Sequence, residues 1–243
     1  KIINKINCNY STYGFNKKAD LYIKDYSLNI EKSKAIIQYK DELFELETPL
    51  IGKFNLYNLS AAVLCTFELG ICKNDIIQSI KYFNNIPGRL EKYNYKSNTI
   101  IIDYAHTPDA FSNIFKSIFE LKNKNKKIIT VFGCGGNRDS SKRKHMGKIA
   151  SNYSDYIYIT NDNPRFEDED KIIDNICGGI SNTEYQIIKD RKKAIISAMN
   201  NENSIILILG KGVEEYQIIK NKKINHSDIK TVKEFINENW NSR

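Results

Sequence analysis

Lys127-Ile-Ile-Thr-Val-Phe-Gly-Cys-Gly-Gly-Asn-Arg-Asp139 decides the fold of this 243-residue chain. Its first part is an apolar and β-branched run without the polar alternation of a half-wet strand, the pattern of a strand covered on both faces. The glycines end it, and helical spacing returns from His145 to Tyr153. The same strand, loop, helix order appears on either side. Thr99–Asp103, Asp155–Thr160, Glu184–Ile188 and Ser204–Leu209 read as strands. Pro108–Leu121, Asp168–Ile180 and Arg191–Met199 read as helices. Apolar strands alternating with helices predict an α/β fold, a parallel sheet covered on both faces.

Upstream the period changes. Ala19–Lys24, Lys34–Tyr39 and Glu42–Glu47 alternate apolar and polar residues and read as short strands. Helices follow at Asn55–Leu69 and Asn74–Phe83, ended by Ile86-Pro87-Gly88. That Pro-Gly turn is the expected domain boundary, giving domains 1–87 and 88–243.

The 37 basic and 29 acidic residues leave a net charge of +8, which by itself suggests a nucleic-acid partner. The wider composition argues against one. The chain holds 39 isoleucines, 31 lysines and 29 asparagines, all with A/T-rich codons, so base composition accounts for much of the lysine excess. No run of five basic residues occurs, and no nucleic-acid partner is expected. No uncharged apolar stretch approaches the ~20 residues of a membrane span, and Lys1–Asn9 lacks a signal-peptide pattern. The five cysteines form no C-x-x-C pair, and the three histidines stand far apart, so no disulfide framework or zinc site is expected. A reducing cytoplasm and no membrane association are the expectation.

The chemistry gathers behind the strands. In order come Asp103-Tyr-Ala-His106, Gly133-Cys-Gly-Gly-Asn-Arg-Asp139, Asp162-Asn-Pro-Arg165, Asp190-Arg191 and Gly210-Lys-Gly212 with Glu214. Open parallel sheets bind ligands outside the carboxyl ends of their strands, so these loops are expected to share one site. The glycine loop serves either as a plain turn or as a cradle of N–H groups for an anion, and Arg138, Asp139, Lys142 and Arg143 favour the anion. Its spacing is not that of a dinucleotide fingerprint. Asp162-Asn-Pro-Arg165 reads either as an Asn-Pro turn with a surface arginine or as a holder for a zwitterion, Arg165 forking onto a carboxylate while Asp162 and Asn163 receive an ammonium. Lys211 reads equally well as a solvated loop lysine. Asp103 and His106 can bind a ribose or act as a base, or the histidine can be a buried, satisfied one. No G-x-x-x-x-G-K-[ST] phosphate loop is present.

Taken together the motifs resemble the Mur ligases, most closely the branch that adds meso-2,6-diaminopimelate. The strings are G-K-F-N-L-Y-N (52–58), P-G-R-L-E (87–91), D-Y-A-H-T-P-D (103–109) and F-G-C-G-G-N-R-D (132–139). They continue with M-G-K-I-A (146–150), D-N-P-R (162–165), D-R-K-K-A-I (190–195) and G-K-G-V-E-E-Y-Q (210–217). The resemblance implies an ATP- and magnesium-dependent amide ligase of peptidoglycan synthesis. ATP would phosphorylate the terminal carboxylate of UDP-N-acetylmuramoyl-L-alanyl-D-glutamate, and the amine of diaminopimelate would attack the acyl phosphate.

By the same resemblance, residues 1–87 would be the latter part of the P-loop-type central ATPase domain, and 88–243 a complete C-terminal domain, α/β with a Rossmann-like, mostly parallel sheet. Asn55, Asn58, Arg89, Asp103 and His106 would contact ATP. Arg138, Asp162, Asn163, Pro164, Arg165, Gly210 and Glu214 would form the diaminopimelate pocket. Arg165 would set specificity, since lysine-adding relatives lack it. No catalytic residue and no protein metal ligand is assigned. The first domain and the phosphate-loop part of the second are missing from the sequence, so the fragment alone is expected to be inactive, and a monomer. Val213 and Leu90 depart from the family's usual His and Met. Rival readings are a non-catalytic amino-acid-binding remnant and a ligase like folylpolyglutamate synthase.

Overall fold

The computed structural model describes residues 7–83, 85–123 and 125–240. The chain divides into two compact units, Lys1–Asn84 and Asn85–Arg243.

In the first unit β1 (Tyr13–Gly14), β2 (Leu21–Leu28), β3 (Ser33–Tyr39) and β4 (Glu42–Thr48) form a sheet in that order. β1 runs parallel to β2 and the other pairs are antiparallel. Alternation decides the buried face: Ser33, Ala35, Ile37 and Tyr39 of β3 are buried, and their neighbours are half-buried. β2 runs four residues past the predicted strand end at Lys24. The register shifts between Ile23 and Asp25, and just beyond that bulge Asp25, Tyr26 and Ser27 are exposed, so no apolar period marks the strand there. The helices α1 (Lys53–Glu68) and α2 (Lys73–Lys81) cover the sheet, setting Leu56, Val63, Leu64, Ile76 and Ile80 against Leu21, Ile23, Ile37 and Leu46.

The second unit opens with β5 (Glu91–Tyr95), β6 (Asn98–Asp103), α3 (Pro108–Leu121) and β7 (Lys127–Phe132). It continues with α4 (Ser141–Tyr153), β8 (Tyr156–Ile159), α5 (Glu169–Cys177), β9 (Glu184–Ile187) and α6 (Arg191–Met199). It ends with β10 (Ser204–Leu209), the hairpin β11 (Tyr216–Ile219) and β12 (Lys222–Asn225), and α7 (Asp228–Trp240). The six-stranded sheet has the order β5-β6-β10-β7-β8-β9, parallel throughout except for β5.

That order fixes where the helices lie. From β6 through β7 and β8 to β9 the chain advances one way across the sheet, so right-handed crossovers put α3, α4 and α5 on one face. The return from β9 to β10 puts α6 on the other face, where α7 packs beside it. Every residue of β6 and of its central neighbour β10 is buried. Ile100, Ile102, Ile129, Val131, Ile206 and Ile208 face Ala194, Ile195, Ala198, Met199, Val232 and Phe235. Each such isoleucine contributes about 1.5–3 kcal/mol by leaving water. α4 begins at Ser141, four residues before the predicted start, because its first turn is polar and shows no apolar period.

Candidate functional site

The parallel strands end on one edge, and the loops behind β6, β7, β8 and β10 meet there around a cleft of about 240 Å³. Arg138, Asp162, Asn163, Arg165, Gly210 and Glu214 all line it, together with His106, Lys142 and the glycine loop. Pro164 is buried and lies outside the lining, as does Asp103. Asn55 and Asn58 belong to α1 of the first unit, where Asn55 is buried and donates to the Ile51 carbonyl at 2.8 Å.

Close backbone approach explains the glycines. A Cβ on Gly133 would lie 2.1 Å from the Thr160 carbonyl oxygen, and one on Gly136 2.0 Å from that of Pro164. The loop after β7 is thus pressed onto the loop after β8, and Gly136 N–H donates to the Asn163 carbonyl at 2.9 Å. An ion pair locks the two together. Arg143, fully buried, forks onto Glu167 at 2.6 and 2.7 Å and donates to the Gly135 carbonyl at 3.1 Å. Glu167 also accepts the Asn137 N–H at 2.9 Å. The Arg143 guanidinium holds the Glu167 carboxyl down at about 2. Arg143 therefore braces the loop, and its proposed attraction for an anionic ligand is corrected by this pairing.

Arg165 sits at a φ of 54° with its main chain bridged to the hairpin: its N–H donates to the Ile218 carbonyl and its own carbonyl accepts from Lys220. Its Nη1 donates to the Gly136 and Asn163 carbonyls at 2.9 and 3.3 Å, which orients the guanidinium into the cleft. Among the described residues none takes a hydrogen bond from its Nη2. Asp162, buried except for its cleft edge, receives no hydrogen bond on its side chain from the described residues, and Lys211 Nζ lies 4.0 Å away. An accessible guanidinium edge and an accessible carboxylate thus line the same cleft.

Asn163 differs from the sequence expectation. Its Oδ1 accepts from Lys211 Nζ at 3.2 Å and from the Ile218 N–H at 2.9 Å, and its Nδ2 donates to Glu214 at 3.1 Å. With its oxygen doubly engaged Asn163 is a scaffold, and Asp162 and Glu214 are the carboxylates that line the cleft. Lys211 is buried completely, not solvated. Gln217 was not singled out by the sequence, yet it donates to the Asn161 and Asp162 carbonyls at 3.0 and 2.9 Å and fixes the loop from the hairpin side. Its only sequence signal was its place at the end of the 210–217 string.

Around the nucleotide-type residues the geometry is mixed. Arg89 is exposed, its guanidinium 4.9 Å from the centre of the Tyr104 ring. His106 is exposed at the cleft rim, its Nδ1 2.8 Å from the Tyr104 carbonyl oxygen. Asp103 has each carboxylate oxygen on a main-chain N–H, of Leu90 at 2.8 Å and Ala105 at 2.7 Å. Burial raises its pKa, against those hydrogen bonds and Arg89. Cys134 lines the cleft floor with its thiol pushed up to about 12 by burial, which makes it a poor nucleophile. Asp190 caps α6 through the Lys193 N–H, and Arg191 points into the core, where Asp228 pairs with it at 2.8 Å. Among the described residues no group of three His, Cys, Asp or Glu side chains is arranged for a metal ion. No helix among them is long and apolar enough to cross a membrane.

A parallel sheet whose glycine-rich and charged strand-end loops converge on one cleft defines a Rossmann-like ligand-binding domain. Residues 88–212 match the family model "Mur ligase, glutamate ligase domain", and residues 1–66 match "Mur ligase middle domain". The chain is 46% identical over 228 residues to a UDP-N-acetylmuramoyl-L-alanyl-D-glutamate–2,6-diaminopimelate ligase of Aquifex aeolicus, covering 93% of this chain and 46% of that protein. It is 40% identical to the protein of the same name from Helicobacter pylori, covering 93% of this chain and 52% of the relative. A solved structure with that name superposes with a TM-score of 0.68 at 31% identity, covering 95% of this chain and 48% of that one. The chain belongs to the Mur ligase family. It spans about half the length of the curated relatives it matches.

Proposed function

We propose that this chain is the amino-acid-selecting portion of an ATP-dependent ligase that joins meso-2,6-diaminopimelate to UDP-N-acetylmuramoyl-L-alanyl-D-glutamate in the cytoplasm, acting as a monomer. The observation that carries the reading is the accessible Arg165 guanidinium in one cleft with the accessible Asp162 carboxylate, Arg138 and Glu214. One ammonium–carboxylate end of a diamino diacid meets complementary charge at both of its groups, and a guanidinium edge forks onto a carboxylate in a way a lysine side chain cannot answer. The names of the relatives support the same substrate.

The chemistry of the whole ligase requires activation of a carboxylate, which bound ATP with Mg2+ would supply as a phosphoryl group. The exposed guanidinium of Arg89 and the rim position of His106 fit contact with a nucleotide. Asp103, its oxygens held by main-chain donors, fits a structural role at the 88–91 turn better than a ribose contact. The residues of this chain bind and orient the amine substrate; the cleft aligns its ammonium end and excludes a ligand with no second carboxylate.

Calorimetric titration of the chain with meso-diaminopimelate and L-lysine tests the reading. Diaminopimelate is expected to bind and lysine to bind at least tenfold more weakly. Arg165→Ala is expected to remove that discrimination, since about 1.5–3 kcal/mol accompanies a charge-assisted hydrogen bond. Unchanged selectivity in the variant refutes the assignment.

A further inference from the structure

Residues 216–220 run along the 161–165 loop and bond to it at nearly every step. Gln217 Nε2 donates one hydrogen to the Asn161 carbonyl at 3.0 Å and the other to the Asp162 carbonyl at 2.9 Å. The Ile218 N–H donates to Asn163 Oδ1 at 2.9 Å. The Arg165 N–H donates to the Ile218 carbonyl at 3.0 Å and the Lys220 N–H to the Arg165 carbonyl at 2.7 Å, which makes a parallel bridge between Arg165 and Ile219. Lys211 Nζ ties down the start of the hairpin, donating to the Tyr216 carbonyl at 2.7 Å. Gln217, Ile218 and Lys220 lie outside the cleft lining, so these contacts act on the loop and not on a ligand.

The loop needs such a hold. Arg165 has a φ of 54°, a left-handed backbone that residues with a side chain adopt uncommonly. A conformation of that kind persists where its surroundings over-determine it. Both hydrogen bonds of the bridge fall on the main chain of this one residue, one on its N–H and one on its carbonyl. Upstream, Asp162 takes no hydrogen bond on its side chain from the described residues, so its main chain fixes where the carboxylate stands, and Gln217 holds the carbonyl there. The glycine loop, on the other side, orients the Arg165 guanidinium through Nη1. The hairpin therefore grips the main chain of the carboxylate-bearing residue and of the guanidinium-bearing residue alike.

We propose that the β11–β12 hairpin is the specificity-determining support of the cleft, with Gln217 as its positioning residue: by fixing the main chain at Asp162 and Arg165 together, it sets the spacing at which carboxylate and guanidinium meet the two charges of one ammonium–carboxylate end. This inference rests on the amino-acid reading given above. A ligand with a single ionic contact follows a displaced group. One that must satisfy two opposite charges at once loses affinity when their spacing changes by about 1 Å. Diaminopimelate is of the second kind for this pair of groups. Lysine, which offers the same end of the cleft an ammonium without a carboxylate, is of the first.

The experiment is calorimetric titration of the full chain and of Gln217→Met with meso-diaminopimelate and L-lysine at pH 7. Methionine keeps the length of the side chain and removes both donors. Diaminopimelate is expected to bind the variant about tenfold more weakly, and lysine within about twofold of wild type, so that the preference narrows. A glutamine that merely stabilises the fold lowers the thermal midpoint and leaves the ratio of the two affinities where it was. Gln217→Met that binds diaminopimelate like wild type, or loses both ligands by the same factor, overturns the inference and leaves the function intact. A wild-type chain that does not prefer diaminopimelate to lysine overturns both. Should Gln217→Met fail to fold, hydrogen exchange of the wild-type amides decides. Without ligand, the Arg165 and Lys220 N–H groups are expected to exchange at least about a hundredfold more slowly than in an unstructured chain, and exchange at the unstructured rate overturns the inference.

Discussion

Replacing Glu167 with Gln tests how the two loops that build the cleft are held together. The substitution keeps the shape and removes the charge, leaving the fully buried Arg143 guanidinium with one neutral acceptor where it had a bidentate carboxylate. The carboxyl is held at about 2 against an ordinary 4.5. Fully shielded, that displacement corresponds to about 3 kcal/mol at neutral pH. The Glu167 side chain is 27% exposed, and screening brings the figure to roughly 2 kcal/mol. The sign follows from a lowered folded-state pKa. The contribution is present above the unfolded value and disappears as the pH falls from about 4.5 toward 2. Urea unfolding followed by circular dichroism at pH 7, pH 4 and pH 2.5 reads it. The wild type is expected to be more stable than Glu167→Gln by roughly 2 kcal/mol at pH 7, with the gap closing through the two acid points. Equal midpoints at pH 7, or a gap that persists unchanged at pH 2.5, refute the argument that this pair clamps the glycine loop.

Two further substitutions probe the same architecture. Gly136→Ala places a methyl group 2.0 Å from the Pro164 carbonyl oxygen, so the loops must part. It is expected to cost about 1–3 kcal/mol by overpacking and to abolish diaminopimelate binding; a variant that titrates like wild type shows that loop contact is not what shapes the cleft. Asp228→Asn strips the fully buried Arg191 of its counter-charge, for a loss of about 3–5 kcal/mol. Thermal denaturation is expected to show a drop of roughly 10 °C, and an unchanged midpoint contradicts the assignment of a buried ion pair.

The residues the sequence revealed most readily are those whose neighbours in the chain carry their meaning. The isoleucine-rich runs of β6, β7, β8 and β10 could be read because a strand covered on both faces is apolar throughout. Behind them the polar loops had to fall on one sheet edge, so Arg138, Asp162, Arg165 and Glu214 could be grouped before any coordinates. β5, the β11–β12 hairpin and α7 could not. β5 is an edge strand with its first residues only half-buried, β12 is exposed throughout, and neither presents an apolar period.

The sequence by itself determined the parallel strands and the helices between them, and with them the sheet edge on which the chemistry lies. Only the tertiary structure decided which charged groups line the cleft and which hold its walls. Lys211, Arg143 and Arg191 look alike in the sequence to Arg138 and Arg165, but the first three are buried against Glu214, Glu167 and Asp228. Burial and counter-charge come from partners brought together by folding: Arg191 and Asp228 are 37 positions apart, and Asn163 and Lys211 are 48 apart. Local periodicity reports which face of an element is apolar and carries no record of such distant pairings.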